Sequence, residues 1–102
     1  MPYIKQEDRP SLDEAVEEVV AQINFEYDNI LDKAGPLNYT ITRIIAGLME
    51  HVSYKDVCVL TGVLENVKQE LYRRAAADYE DLKIYENGDV KEYHQYERDA
   101  NQ

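Results

Sequence analysis

Three stretches of this chain repeat a large apolar residue at every third or fourth position, and very little separates them. The first runs Leu12, Val16, Val19, Ile23, Tyr27, Ile30; the second Leu37, Ile41, Ile44, Ile45, Leu48, Val52; the third Val57, Leu60, Leu64, Val67, Leu71. Steps of three and four align side chains on one face of an α-helix, whereas a half-buried strand needs strict alternation. Each stretch is therefore predicted to be a helix with one face to cover. The short gaps between them make the three helices near neighbours. A chain of 102 residues has room for one core. The expectation is one mainly α domain over residues 1–90, followed by a polar tail over residues 91–102.

Local signals place the boundaries. Ser11 and Glu14, after Pro10, read as a capping box that starts the first helix, and Asp13 favours its positive end. "AGP" at 34–36 brings two strong helix breakers together, so the first helix is expected to continue to about residue 33 and stop there. Ser53 and Asp56 read as the cap of the third helix. Beyond Tyr79, "LKIYENGDVKEY" sets Asn87-Gly88 between two short runs rich in Ile, Tyr and Val, which predicts a C-terminal β-hairpin. Glu86 and Asp89 would then face each other across the turn, an unfavourable pairing. The fold class that results is a three-helix domain with a short hairpin.

Charge narrows the partners. Net charge is −10, and it is unevenly spread. Residues 1–34 carry three bases and nine acids, residues 77–102 three bases and eight acids, and residues 35–76 five bases and four acids. Acidic ends repel a long polyanion, whose binding depends on many phosphate contacts, so duplex nucleic acid is not an expected partner. A small anion needs only a few local donors, and the middle segment has them. No apolar run is long enough to span a membrane, and "MPYIKQEDRP" does not read as a secretory signal. The single Cys58 sits among apolar residues and reads as a buried structural thiol in a reducing cytoplasm. His51 and His94 belong to no metal or catalytic motif, so neither an enzyme nor a cofactor is expected.

The candidate site residues lie along two helices. On the second, Tyr39 and Arg43 are four apart and opposite the apolar face, with Asn38 and Thr42 between that row and the core. On the third, Lys68, Tyr72 and Tyr79 share one edge of the stripe, Arg74 takes the other edge, and Arg73 points away. A Tyr–Arg pair at this spacing serves equally well as a stacked surface pair. In a ligand site, aromatic and guanidinium planes would stack on bases while Arg, Lys, Asn and Thr donate to phosphate or base edges. Glu65 and Glu70 are placed to orient Lys68 and the arginines. Nine tyrosines against one phenylalanine and no tryptophan suit half-buried surfaces, such as subunit interfaces and ligand pockets.

Four blocks, "MPYIKQEDRPSLD", "GPLNYTITRI", "GVLENVKQELYRR" and "YEDLKIYENGDV", together resemble a widespread family of small proteins found in bacteria, archaea and tailed phages. The resemblance spans about residues 1–90 with the blocks in family order. Some phage members of this family resemble anti-CBASS sponges. That resemblance implies a homo-oligomer, dimer or tetramer, which sequesters a cyclic nucleotide such as 3′,3′-cyclic GMP–AMP without cleaving it. The setting implied is the host cell cytoplasm. An acidic inhibitor that mimics DNA and a purely structural helical oligomer are the competing readings.

Overall fold

The computed structural model describes residues 2–93, and every regular element among them is helical. A 3₁₀ turn, Gln6–Asp8, leads into α1 (Pro10–Glu26), followed by α2 (Ile30–Leu48) and α3 (Tyr54–Leu71). A π turn, Tyr72–Ala76, then passes into α4 (Ala77–Asn87). The contacts divide the chain into two units, residues 1–64 and 65–102, with the boundary inside α3. The polar tail predicted for residues 91–102 falls mostly on residues 94–102, which lie outside the described residues, as does His94.

Four helices thus replace the expected three, and the first two boundaries move. Pro10 opens α1 with Arg9 at its N-cap, so Ser11 already stands inside the helix and the predicted capping box is not used. Proline suits the first helical position because its missing N–H would be unpaired there anyway. The α1 helix stops at Glu26, where Tyr27 turns extended. The "AGP" motif does not end it. Asn29 caps α2, its Oδ1 accepting the Asp32 backbone N–H at 3.0 Å, while its Nδ2 donates to the Asp32 carboxylate at 2.9 Å. With the helix started there, Gly35 and Pro36 fall inside α2. The cap decided the boundary, because a satisfied first turn fixes where a helix begins and the apolar period runs through the break regardless.

The third helix begins where expected. The Ser53 hydroxyl accepts the Asp56 N–H at 3.2 Å, and the Asp56 carboxylate reaches back to the His51 N–H at 3.4 Å.

The predicted C-terminal hairpin is not formed, and no strand occurs among the described residues. Residues 77–87 continue as helix, and Gly88 closes α4 at φ +88°, its N–H donating to the Ile84 carbonyl at 2.8 Å. Asn87-Gly88 therefore acts as a helix terminus, since the glycine supplies the positive φ that a helix C-terminus uses as readily as a hairpin turn does. Two local features favour the helix. The three alanines at 75–77 are strong helix formers, and Lys83 pairs with Glu86 at 3.2 Å one turn on.

In the first unit, α1 packs on α2; Ile23, Pro36 and Thr40 on these helices and Tyr27 at the C-cap of α1 are half-buried. No side chain among the described residues is fully buried. Most of the aliphatic stripe residues are exposed, with Ile23, Ile45 and Leu60 half-buried: Val57 is 46 % exposed, Val67 54 % and Leu71 67 %. Each such side chain forgoes about 1 kcal/mol relative to complete burial. Cys58, expected in a core, is likewise exposed.

Candidate functional site

The helix that carries "ELYRRAAADYED" is locally unwound. At Tyr72–Ala76 the backbone switches to the π pattern, with the Ala77 N–H donating to the Tyr72 carbonyl five residues back. Such a turn inserts one residue into the helical repeat and is frequent at functional sites. Its effect is visible in the side chains. The Tyr72 hydroxyl donates to the Glu80 carboxylate at 2.7 Å, across eight residues. In an uninterrupted α-helix, residues eight apart point about 80° away from each other. The inserted residue brings them back to one face.

A largely apolar, open groove of about 400 Å³ follows this turn, lined by Lys68, Gln69, Leu71, Tyr72 and Ala76. Of the three candidates expected on one edge, Lys68 and Tyr72 line this groove and Tyr79 does not. Glu65 orients the groove's polar end, standing 3.7 Å from the Lys68 ammonium and accepting from the Gln69 amide at 3.4 Å. The Glu80 carboxylate holds the Tyr72 pKa above its ordinary value, chiefly by accepting its hydrogen bond and secondarily by its charge, with smaller contributions from desolvation and Asp81. A phenol is neutral through the physiological range in any case, and Glu80 moves the Tyr72 titration further above it.

The remaining candidates on this segment do not line the groove. Glu70 grips Arg73 with both carboxylate oxygens, at 3.2 Å from Nε and 2.6 Å from Nη2. This fork fixes the guanidinium one turn from its partner. Arg74 makes no side-chain ion pair or hydrogen bond among the described residues. The two adjacent arginines thus have different surroundings, in keeping with their divergence around the helix. The Tyr79 ring lies under Lys83, whose ammonium is 5.5 Å from the ring centroid.

The other candidates belong to α2 and the first unit. The Arg43 guanidinium donates to the Tyr39 hydroxyl at 3.1 Å and stands 5.8 Å from its ring centroid, which forms the predicted stacked pair. Thr42 donates to the Asn38 carbonyl at 2.7 Å, and its hydroxyl is 3.4 Å from the Asn38 side-chain oxygen. Tyr39 also borders a groove of about 660 Å³ between α1 and α2, together with Ile23, Tyr27, Pro36 and Thr40. The sequence reading missed this groove, because it placed the α1–α2 break about seven residues too late. It also missed Gln69 and the Glu80 acceptor; only a phase count that allows one inserted residue would have paired Tyr72 with Glu80. No cluster of His, Cys, Asp and Glu capable of holding a metal ion occurs among the described residues. No helix among them is long and apolar enough to cross a membrane.

The chain belongs to a family described as a domain of unknown function, DUF6899, whose profile matches residues 1–90. No curated protein and no solved structure matches it.

Proposed function

We propose that this protein is a homo-oligomer, dimer or tetramer, that binds and sequesters a small cyclic nucleotide without cleaving it. The observation that carries the reading is the groove at the π turn, where Tyr72 and Lys68 line one largely apolar recess beside Gln69. A base stacks on the tyrosine and phosphate oxygens take the ammonium, with the amide available to a base edge. Tyr72, a neutral phenol at physiological pH, places no charge of its own against a phosphate. The stripes left in solvent support self-association, because apolar strips of this length call for a covering surface. The four sequence blocks resemble a family some of whose phage members resemble anti-CBASS sponges, and that resemblance suggests the ligand class, a cyclic dinucleotide such as 3′,3′-cyclic GMP–AMP. It also supplies the role, which is keeping a host defence signal from its effector in the host cytoplasm.

The test is a thermal-shift screen of the full chain against cyclic di- and trinucleotides. A ligand present at a hundred times its dissociation constant stabilises by about 2.7 kcal/mol, a readily visible shift. The bound nucleotide should be released chemically intact on denaturation, and Tyr72→Ala and Lys68→Ala should each abolish the shift. No shift with any member of the panel overturns the reading.

A second reading rests on α1, which carries Asp13, Glu14, Glu17, Glu18 and Glu26 with no basic residue between Pro10 and Glu26. An exposed acidic helix of this kind suits an inhibitor that mimics DNA. Binding to a basic host protein that weakens steeply with added salt would favour it over the sponge.

A further inference from the structure

The segment that holds the groove is also built to meet itself. Within residues 68–76 the charges are Lys68, Arg73 and Arg74 against Glu70; within 77–89 they are Asp78, Glu80, Asp81, Glu86 and Asp89 against Lys83. The first half is basic and the second strongly acidic. Two such helices laid parallel would set like charges together, and laid antiparallel would set opposite charges together.

The apolar residues repeat the same symmetry. Leu71 and Leu82 are equidistant from the Ala76–Ala77 junction, with Ala75 and Asp78 inside them. The π turn carries Leu71, Ala75, Tyr79 and Leu82 along one strip, and its three large members are 67 %, 60 % and 50 % exposed. The neighbouring charges are left open as well. Lys68, Arg73 and Lys83 each pair with a glutamate three residues away. Arg74, Asp78 and Asp81 take part in no side-chain ion pair or hydrogen bond among the described residues, although Arg74 and Asp78 are one turn apart.

We infer that a second copy of this chain docks antiparallel on the Leu71–Leu82 strip about a two-fold axis at the Ala76–Ala77 junction. Leu71 of each copy meets Leu82 of the other, and the small Ala75 and Ala76 let the backbones approach closely. Arg74 of each copy reaches the acidic pair Asp78 and Asp81 of the other, so the interface contains every charge pair twice. Leu71 also lines the groove, so the docked copy supplies a wall that one chain lacks. This inference rests on the homo-oligomer part of the proposed function and is independent of its ligand.

Charge reversal tests it. Arg74→Asp turns the strip's charges wholly acidic, and the double variant Asp78→Arg with Asp81→Arg turns them wholly basic. Either protein alone should self-associate about tenfold or more weakly than the unaltered chain, read as mass by light scattering across a dilution series. Mixed in equal amounts, the two should regain the unaltered mass, because every cross-copy pair is then attractive. Mixing restores no pair within a chain, so recovery reports contacts between copies alone. If a variant loses helicity by circular dichroism, the mixture should recover that as well. Retention of the unaltered mass by both variants, or failure of the mixture to recover it, overturns the antiparallel interface while the oligomer stands. A monomeric unaltered protein overturns both.

Discussion

The two units of this chain hold their helices by different means. In the first, polar side chains act at helix ends: Asn29 caps α2, Ser53 caps α3, and α1 lies against α2 across half-buried Ile23, Tyr27, Pro36 and Thr40. In the second, polar side chains act along the helix. The three ion pairs seen among the described residues, Lys68–Glu65, Arg73–Glu70 and Lys83–Glu86, all fall between residues 65 and 86, each spanning one turn. The first unit accordingly uses polar groups to start helices, besides the Tyr39–Arg43 and Asn38–Thr42 pairs along α2. The second uses them to sustain one helix through an irregular turn, which leaves Leu71, Tyr79 and Leu82 available to something outside the chain. Caps contribute more per residue than exposed ion pairs do, so the units should respond unequally to mutation.

The largest effect should come from breaking the second unit at its irregular point. Ala77→Pro removes the N–H that bonds the Tyr72 carbonyl and should cost about 3 kcal/mol or more, seen as lost helicity and a lowered denaturation midpoint. Pro36 inside α2 shows that the first unit already accommodates such a residue close to a capped start. A mild effect of Ala77→Pro would mean that the π turn contributes little to holding α4.

The comparison sharpens with a matched pair of truncations. Asn29→Ala deletes a cap and should cost about 1 kcal/mol in chemical denaturation. Lys83→Ala deletes a half-exposed ion pair and should cost only a few tenths of a kcal/mol, less still in high salt. Equal costs would erase the proposed difference between the units.

The smallest effect concerns pH. The Glu80 carboxylate raises the Tyr72 pKa above 10.0 in the folded chain. A group whose folded pKa is raised contributes fully below its unfolded value and loses that contribution as pH climbs through the folded one. The contribution of this pair should therefore be constant across neutral pH and be lost only in strongly alkaline solution. Phenolate absorbance should show the loss of an upshifted tyrosine titration in Tyr72→Phe. If the titration curve of Glu80→Gln matches that of the unaltered chain, Glu80 is not the cause of the shift.

Much of this was legible in advance wherever neighbours in sequence are neighbours in space. The helical period marked the apolar faces, Ser53 marked the start of α3, and the four-residue step from Tyr39 to Arg43 marked a stacked pair. Glu70 was placed to orient an arginine, and it holds Arg73. The boundaries that failed did so because two motifs compete for one outcome. Asn29 and "AGP" both signal a break, and the cap that satisfies an open N–H prevailed. Asn87-Gly88 suits a hairpin turn and a helix terminus alike, and the helix arriving from Ala77 decided between them.

The sequence by itself determined that this chain is helical, which faces of its helices are apolar, and that its charge is basic only through the middle. Those properties follow from side-chain spacing and identity, which no later folding step alters. The structure decided where α1 ends, that the hairpin is a fourth helix, and that Tyr72 meets Glu80 rather than pointing about 80° away from it. Each of these depends on a choice of backbone path, a cap formed or a residue inserted in a turn. Periodicity cannot register that choice, because one extra residue changes the phase of everything after it without changing a single letter.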